Sequence, residues 1–337
     1  METSPQVLDL LERVARAARP YEFRTFVIGF ERPEAYDRAA HEESFRKLKI
    51  VLGEGLKRRF PGTDAEFLRP ELRLDVGADL VVRAESSPLF FAGRYRKLSR
   101  EIPSTRWVHH ACRGRGCAAC GFSGDLCGPS IQQLLSGAIL EMSGGERTLF
   151  HGLGREDTDA RMLGPGRPFV LEVHHPRKRT LGLPSALEAF KERARTLADV
   201  VSLVPVDREA VAAVKSSSAE KTYRAWIEAR GPVPPDALPR VRALAGAGVE
   251  QVSPERVQHR KGRGVLRLKR IIESEWLGEV HGLLVWETRV ESGTYVKELV
   301  SGDSGRTRPS IAQVLGVPCS CAALDVLDVH WKPPWEE

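Results

Sequence analysis

The feature that most constrains this chain is a run of four sulfur and imidazole donors within twelve residues. They follow the spacing His-x2-Cys-x4-Cys-x2-Cys. Paired x2 spacings let two short turns direct their side chains at one tetrahedral ion, and Gly114 and Gly116 permit the tight connection between the turns. Four protein ligands leave no open coordination position, so the pattern predicts a structural zinc site. The predicted ligands are His109, Cys112, Cys117 and Cys120.

This cluster leaves alternatives open. Cys112 and Cys117 could be ordinary free thiols or a redox pair, although four soft donors so close together in a cytosolic chain favour a metal. The fourth ligand could be His110, or Cys127 if neither histidine reaches the ion. The x2 spacing favours His109.

A second polar segment, residues 151–170, contains two aspartates and one glutamate, together with three arginines and four glycines. Such a run is too polar and too rich in glycine for a core, so we predict a shaped functional loop. A solvated surface loop is the alternative. Asp157 and Asp159 are the competing catalytic acids within it.

Two further residues could complete a site around one of these acids. A carboxylate beside a lysine can act as nucleophile or general base, and an aromatic ring can stack on a nucleobase. Tyr223 and Lys297 are the candidates. Taken singly, Tyr223 is as typical of core packing, Lys297 of a solvated helix and Asp157 of a turn.

The apolar pattern predicts an α+β protein of two domains. A chain of 337 residues is long for one core, and Ser143-Gly-Gly provides the best boundary, so the domains are expected at 1–145 and 146–337. Helical spacing is found at 7–18 and 37–60, with strand-like runs at 24–30 and 71–83. The second half is mixed and rich in antiparallel pairs. Its main predicted strands are 169–173, 200–206, 221–229, 263–276, 280–290 and 321–330.

Basic residues are clustered rather than spread evenly. The net charge is only +6, but groups occur at 94–106, 177–179 and 259–270. Clusters of this kind are typical of a protein that binds a polyanion such as nucleic acid. Any one cluster is equally compatible with a solvated helix face.

Several other classes of protein are excluded by missing patterns. No apolar stretch is long enough to span a bilayer, and the first residues lack the features of a secretory signal. We therefore expect a cytoplasmic protein. The sequence contains neither a P-loop nor a dinucleotide-binding fingerprint.

Four motifs resemble those of the archaeal and eukaryotic tRNA pseudouridine(54/55) synthases. The two long ones are Gly-Arg-Glu-Asp-Thr-Asp-Ala-Arg-Met-Leu-Gly-Pro-Gly-Arg-Pro-Phe-Val-Leu-Glu-Val at 154–173 and the run beginning Gly-Thr-Tyr-Val-Lys-Glu-Leu-Val at 293–310. The shorter ones are Lys-Thr-Tyr-Arg-Ala at 221–225 and Gln-Val-Ser-Pro-Glu-Arg-Val-Gln-His-Arg-Lys at 251–261. They occur in the family's order across nearly all of the second half, and Gly-Arg-x-Asp is also shared with other pseudouridine synthases.

The resemblance implies a pseudouridine-synthase fold, with a mixed, largely antiparallel sheet flanked by helices, and catalysis without a cofactor. It implies that Asp157 is the catalytic aspartate, since the Gly-Arg-x-Asp register selects it over Asp159. Tyr223 would stack on the flipped uracil and Lys297 would pair with Asp157. The enzyme would cleave the uridine N1–C1′ bond, rotate the base and rejoin it through C5. The residues expected to contact the substrate are Arg155, Arg161, Arg167, Arg224, His259, Arg260, Tyr295 and Arg306.

The first half resembles the family's THUMP-containing RNA-binding domain, through the basic run starting at Gly93 and the Cys/His cluster. His109 stands where archaeal relatives have a cysteine, and a further Cys-x2-Cys pair common near their N-terminus is absent here. The resemblance implies the T-arm of tRNA as partner, with uridine 54, 55 or both modified. We expect a monomer. The first chemical step, attack on the sugar or its deprotonation, is left open.

The sequence leaves two other functions to consider. A non-catalytic RNA-binding protein or tRNA chaperone could keep the same fold, but the complete set of Asp157, Tyr223 and Lys297 argues against it. Another THUMP-linked modifier, such as a methyltransferase or thiolase, would need a nucleotide-binding Gly-rich loop that the sequence lacks.

Overall fold

The structure is a computed structural model that describes residues 4–31, 38–255 and 264–336. Within the described residues, no helix has the length and apolarity to cross a membrane. The contacts divide the chain into two compact units. The first comprises 1–90, 136–149 and 171–186, and the second comprises 91–135, 150–170 and 187–337. The Cys/His cluster is therefore grouped with the second unit, and the functional domains 1–145 and 146–337 stay predictions.

The first unit contains a four-stranded sheet and two long helices. Its elements are α1 (Pro5–Ala18), β1 (Thr25–Phe30), α2 (Arg38–Arg59), β2 (Asp64–Ala65), β3 (Leu72–Val76) and β4 (Val82–Ser86). The strand order is β2-β1-β3-β4, in which β1 is parallel to both neighbours and β4 is antiparallel to β3. The two helices approach closely at Gly55, where a Cβ atom would lie 2.4 Å from a methyl of Leu11.

Most of the predicted elements of this unit are confirmed within a few residues. The single strand expected at 71–83 is wrong. Gly77 N–H donates to Val81 O at 2.9 Å, which closes a turn between β3 and β4. A run of β-forming residues does not reveal such a turn by its periodicity.

The second unit is built on a mixed sheet of ten strands. Its elements in chain order, some crossing the boundary between the units, are β5 (Leu89–Lys97), α3 (Ile131–Ser143), β6 (Arg147–Gly152), β7 (Ala160–His174), α4 (Leu183–Ala194), β8 (Ala198–Val206), α5 (Glu209–Ser216), β9 (Glu220–Ala229), α6 (Ala237–Arg242), β10 (Gly248–Val252), β11 (Leu266–Val280), β12 (Leu283–Val290), α7 (Val296–Ser301), β13 (Thr307–Arg308), α8 (Ile311–Leu315) and β14 (Cys319–His330). The sheet order is β13-β10-β11-β12-β9-β14-β7-β5-β8, and β6 pairs with β7.

The centre of this sheet holds the residues that matter for function. β9 lies between β12 and β14 and is antiparallel to both, whereas β14 is parallel to β7. The expected mixed, largely antiparallel sheet is therefore confirmed. Tyr223 on β9 lies opposite Thr288 on one side and Val326 on the other. Beneath it, Trp286, Ile227 and Leu299 are fully buried members of one apolar core.

The expectation of a loop over residues 151–170 is wrong for its second half. β7 begins at Ala160, so the loop between β6 and β7 covers only residues 153–159. The glycines in β7 serve close strand contacts. Gly164 has a φ of +56°, and a Cβ atom there would lie 1.9 Å from Leu327 O on β14. A polar, Gly-rich segment can therefore form a strand where the adjacent backbone lies too close for a side chain to fit.

Two members of the basic cluster at 94–106 are buried rather than solvated. Arg94 and Lys97 lie on β5 and are buried, 8% and 0% exposed. Arg94 forms an ion pair with Glu336 and donates to Gly166 O and Trp331 O. These side chains are used inside the second unit and are not available to a polyanion.

Candidate active site

The loop at 153–159 is held by three cations that bind its backbone carbonyl groups. Lys97 Nζ donates to Thr158 O at 2.7 Å, Arg100 Nη1 to Asp159 O at 3.1 Å, and Arg167 Nη1 to Leu153 O at 2.8 Å. Burial lowers the pKa of Lys97 to about 8. The loop therefore owes its shape to charged side chains from β5, β7 and the segment after β5.

Glu156 anchors the middle of the loop from below. Its carboxylate accepts from Arg167 Nε at 2.8 Å and from Tyr95 Oη at 3.1 Å. Burial tends to lower the pKa of Arg167, but the attraction and hydrogen bond of Glu156, together with Tyr95 and Tyr223, outweigh it and raise the pKa. Burial, together with Glu156, raises the pKa of Tyr95 well above its ordinary value. The network turns Glu156 inward, away from solvent.

Asp157 and Asp159 share one lysine. Lys297, in the first turn of α7, lies 3.2 Å from Asp157 Oδ2 and 2.7 Å from both oxygens of Asp159. Burial tends to lower the pKa of Lys297, but the two carboxylates outweigh it and raise the pKa. The expected contact between Lys297 and Asp157 is present, and the tighter contact is with Asp159.

Two tyrosines approach the same place from different elements. Tyr223 comes from β9, and its burial raises the pKa of the phenol to about 12, so it is neutral at any physiological pH. Tyr295 immediately precedes α7. Buried Gln251 fixes its backbone, donating from Nε2 to Tyr295 O and accepting from Tyr295 N–H, each at 2.9 Å. The guanidinium carbon of Arg267 lies 5.5 Å from the centre of the Tyr295 ring.

These groups surround a cavity of about 450 Å³. Pockets of a few hundred cubic ångströms are the usual size for small ligands. The sequence-predicted residues that line it are Arg155, Asp157, Arg167, Tyr223, Tyr295 and Lys297. Asp159 shares Lys297 with Asp157 but is not among the residues that line this cavity.

Other expected substrate contacts lie elsewhere. Arg161 forms a two-pronged ion pair with Asp325 at 2.8 Å, and Arg224 pairs with Glu287 on β12. Arg306 pairs with Asp303 at 3.0 Å. None of the three lines the cavity. Alternation along β9 places Arg224 on the face opposite Tyr223. His259 and Arg260 lie outside the described residues.

Five residues of the site were not predicted as site residues from the sequence. They are Lys97, Glu156, Lys221, Gln251 and Arg267. Three of them, Glu156, Lys221 and Gln251, lie within the motifs shared with the family. That position was the only feature of the sequence that could have indicated a role in the site. Lys221 Nζ donates to Ala219 O, and burial with repulsion by Arg167 lowers its pKa to about 8. Glu156 looked like one more acid of a charged segment, because burial is decided by contacts distant in sequence.

The Cys/His cluster has the geometry of a tetrahedral metal site. His109 Nδ1 lies 3.5 Å from Cys112 Sγ and 3.6 Å from Cys117 Sγ, while Cys120 Sγ lies 4.0 and 3.7 Å from the same sulfurs. Tetrahedral zinc with Zn–S bonds of about 2.3 Å and a Zn–N bond of about 2.0 Å requires separations of about 3.8 Å and 3.5 Å. The donors fit that ion.

The backbone supports the same assignment. The N–H groups of Cys117 and Gly124 each donate to Cys120 Sγ at 3.3 Å. Burial raises the pKa of this thiol, but these hydrogen bonds outweigh it and lower the pKa to about 7. A thiolate is the form that binds a metal. Neither His110 nor Cys127 is part of the four-donor group found in the described part of the chain.

Comparisons with known proteins agree with one family. The model described as "Pus10, C-terminal" matches residues 90–330. The tRNA pseudouridine synthase Pus10 of Methanothrix thermoacetophila is 45% identical over 253 residues, which are 75% of this chain and 56% of that protein. The tRNA pseudouridine synthase Pus10 of Methanothermobacter marburgensis is 39% identical over 326 residues, which are 91% of this chain and 79% of that protein.

The alignment thus spans about half the length of the first relative and about four fifths of the second. Among solved structures, a chain of a Cbf5-Nop10-Gar1 complex aligns with a TM-score of 0.38 and 18% identity, covering 60% of this chain and 46% of that one. A likeness that weak supports no conclusion about fold or function. The family model and the sequence identities, by contrast, cover most of the chain, and they show that this chain belongs to the Pus10 family.

Proposed function

We propose that this protein is a tRNA pseudouridine synthase and that Asp157 is its catalytic residue. The family supports the activity, because its relatives carry that name. The assignment of Asp157 rests on one observation: Asp157, Lys297, Tyr223 and Tyr295 line the same cavity. Asp159 binds the same lysine more closely but does not line the cavity.

The reaction is an isomerisation. The N1–C1′ bond of uridine breaks, the uracil turns within the cavity, and a C5–C1′ bond forms. The hydrogen on C5 leaves as a proton and N1 gains a proton, so the product is an isomer of the substrate. No electron acceptor and no cofactor is required. The base must leave its stack to reach the cavity, and enzymes that act on bases commonly extrude the target nucleotide.

Each residue has a role that its surroundings support. Asp157 acts on the sugar, as nucleophile or as base. Lys297 supplies a positive charge beside it, which compensates charge in a partly desolvated site. Tyr223, held neutral by burial, offers a ring on which the detached uracil stacks. Arg155, exposed on the loop, is placed to occupy the space that the flipped nucleotide leaves.

The remaining parts follow from the same proposal. The Cys/His cluster holds a structural zinc ion through His109, Cys112, Cys117 and Cys120. The region 1–145 acts as the THUMP-like RNA-binding domain, and the substrate is the T-arm of tRNA, at uridine 54, 55 or both. The predicted cytoplasmic location and monomeric state stay predictions, as do the contacts of His259 and Arg260.

The test uses tRNA transcripts labelled with tritium at C5 of uracil. We expect the wild-type protein to release tritium, and Asp157→Asn to reduce the rate about a thousandfold or more, as the loss of an essential catalytic group does. Asp159→Asn is the matched control, since it removes the other carboxylate bound to Lys297. We expect its rate to stay within about tenfold of wild type.

The outcomes are separable. Full release by Asp157→Asn together with loss in Asp159→Asn would transfer the catalytic role to Asp159. Binding of tRNA without tritium release by the wild type would favour a non-catalytic RNA-binding protein.

A further inference from the structure

The Cys/His segment exposes an aromatic side chain that serves no packing role. Phe122 is 77% exposed, although an apolar ring of this size is normally buried. It follows Gly121 directly after the last metal-ligand position, Cys120. A scaffold residue at this position would need neither the ring nor its apolar surface.

Phe122 also adopts a conformation that disfavours it. Its φ is +61°, in the left-handed region where glycine and asparagine are at home. The backbone imposes this, since Phe122 N–H donates to Cys117 O at 2.8 Å. Residues held in a sparsely populated backbone conformation are concentrated at functional sites. An exposed ring at this position therefore points to a ligand.

The surroundings of the ring indicate the class of that ligand. A Cβ atom on Gly116 would lie 2.5 Å from Phe122 O, and one on Gly124 would lie 2.3 Å from Gly114 O. The turn carrying Phe122 therefore packs on the turn that carries the exposed Arg113 and Arg115. The only carboxylate in residues 106–128, Asp125, accepts from Arg106 Nε at 2.6 Å and from Gln133 Nε2 at 2.7 Å.

Backbone contacts connect the segment that carries Phe122 to residues that line the catalytic cavity. Pro103, Ser104 and Trp107 line that cavity. Trp107 O accepts from Leu126 N–H at 2.8 Å, and Val108 forms a β-bridge with Asp125. A nucleic acid whose nucleotide occupies the cavity would extend from one edge of it towards this segment.

We propose that Phe122 is a stacking platform for an unpaired RNA base, with Arg113 and Arg115 contacting the adjacent phosphates. Aromatic rings flanked by arginines bind single-stranded nucleotides because every base offers a π-face and every phosphate a negative charge. The metal-binding segment thereby acts as a second RNA-binding site outside the cavity. The proposal takes from the proposed function only that the partner is RNA.

The test measures binding of a fluorescently labelled tRNA transcript to the full-length chain by anisotropy. Loss of one stacked base weakens binding about 5- to 100-fold, so we expect Phe122→Ala to raise the Kd within that range and Phe122→Trp to keep it near the wild-type value. Phe122→Asn removes the ring while suiting the left-handed backbone, and we expect the same loss of affinity with no loss of thermal stability.

Phe67→Ala is the matched control, because Phe67 is an equally exposed phenylalanine in the first unit, 78% exposed. We expect its Kd to equal that of the wild type. Equal Kd values for Phe122→Ala, Phe122→Asn and Phe67→Ala would overturn the proposal, as would a loss of affinity that Phe122→Trp fails to restore. Tritium release by the wild type is measured separately, so failure of the catalytic assignment leaves the binding result interpretable.

Discussion

Glu156 and Asp157 are neighbours in sequence with opposite surroundings. Both residues line the cavity, but the carboxylate of Glu156 is buried against Arg167 and Tyr95, whereas that of Asp157 is 44% exposed and lies beside Lys297. A buried ion pair contributes little net stability, but removing one partner leaves the other charge uncompensated in a medium of low polarity. Glu156 is therefore a positioning residue, which fixes the loop on which Asp157 acts.

Replacing Glu156 tests this role. We expect Glu156→Gln to lower the free energy of unfolding by about 3 kcal/mol, measured by urea denaturation, because the charge of Arg167 is left buried and unpaired. The double variant Glu156→Gln, Arg167→Leu should recover part of the loss, since it removes that charge. Glu188→Gln is the control, as Glu188 pairs with Lys191 on the surface. If Glu156→Gln unfolds at the same urea concentration as this control, the anchoring role is wrong.

At the scale of single elements, the Cys/His segment has little regular secondary structure of its own. It has one turn of 3-10 helix, Ala118–Cys120, and its backbone takes several left-handed conformations. It has almost no apolar core, and segments of that kind usually depend on a metal for their structure. Its stability is therefore expected to follow metal occupancy.

Elemental analysis checks this expectation. We expect one zinc ion per chain in the purified protein, and only a trace in Cys117→Ser, because the remaining donors cannot complete a tetrahedral set. Cys127→Ser and His110→Ala should keep the ion, since neither residue belongs to the four-donor group of the described residues. Retention by Cys117→Ser, or loss in Cys127→Ser, would contradict the ligand set.

At the scale of the whole molecule, buried ionisable groups make stability depend on pH in both directions. Burial lowers the pKa of Lys97 and of Lys221 to about 8, below the ordinary lysine value, so between pH 8 and 10 the unfolded chain binds more protons and stability rises with pH. Burial raises the pKa of Tyr223 to about 12, so above pH 10 the unfolded chain loses protons first and stability falls.

We therefore expect maximal stability near pH 10, with the free energy of unfolding increasing by about 4 kcal/mol between pH 8 and 10. Urea denaturation at several pH values measures it. Lys221→Met should flatten the rise by about half, because one of the two lysines is removed. Lys215→Met, at an exposed position on α5, should leave the slope unchanged. A stability that is constant or falls from pH 8 to 10 would contradict the buried state of these lysines.

Local patterns were sufficient for many parts of this protein. The spacing of apolar residues predicted most helices and strands, because each element must bury one face. The His-x2-Cys-x4-Cys-x2-Cys spacing predicted four donors that the structure brings to one point, since the turns between them are short. The motifs placed Asp157, Tyr223 and Lys297 in one family pattern, and they do line one cavity.

Other properties depended on contacts between residues distant in sequence. Composition suggested an exposed loop at 151–170 and a basic cluster at 94–106, but residues 160–170 and 94–97 are strands of the sheet. The exposure of Arg167 and Lys97 depends on the strands that pack against them. Those strands are distant in sequence, so no local pattern could predict the burial of either side chain. The sequence by itself determined the elements, the metal-type donors and the family. Only the tertiary structure decided which charges are buried, and thereby that Glu156 anchors the loop while Asp157 lies beside Lys297.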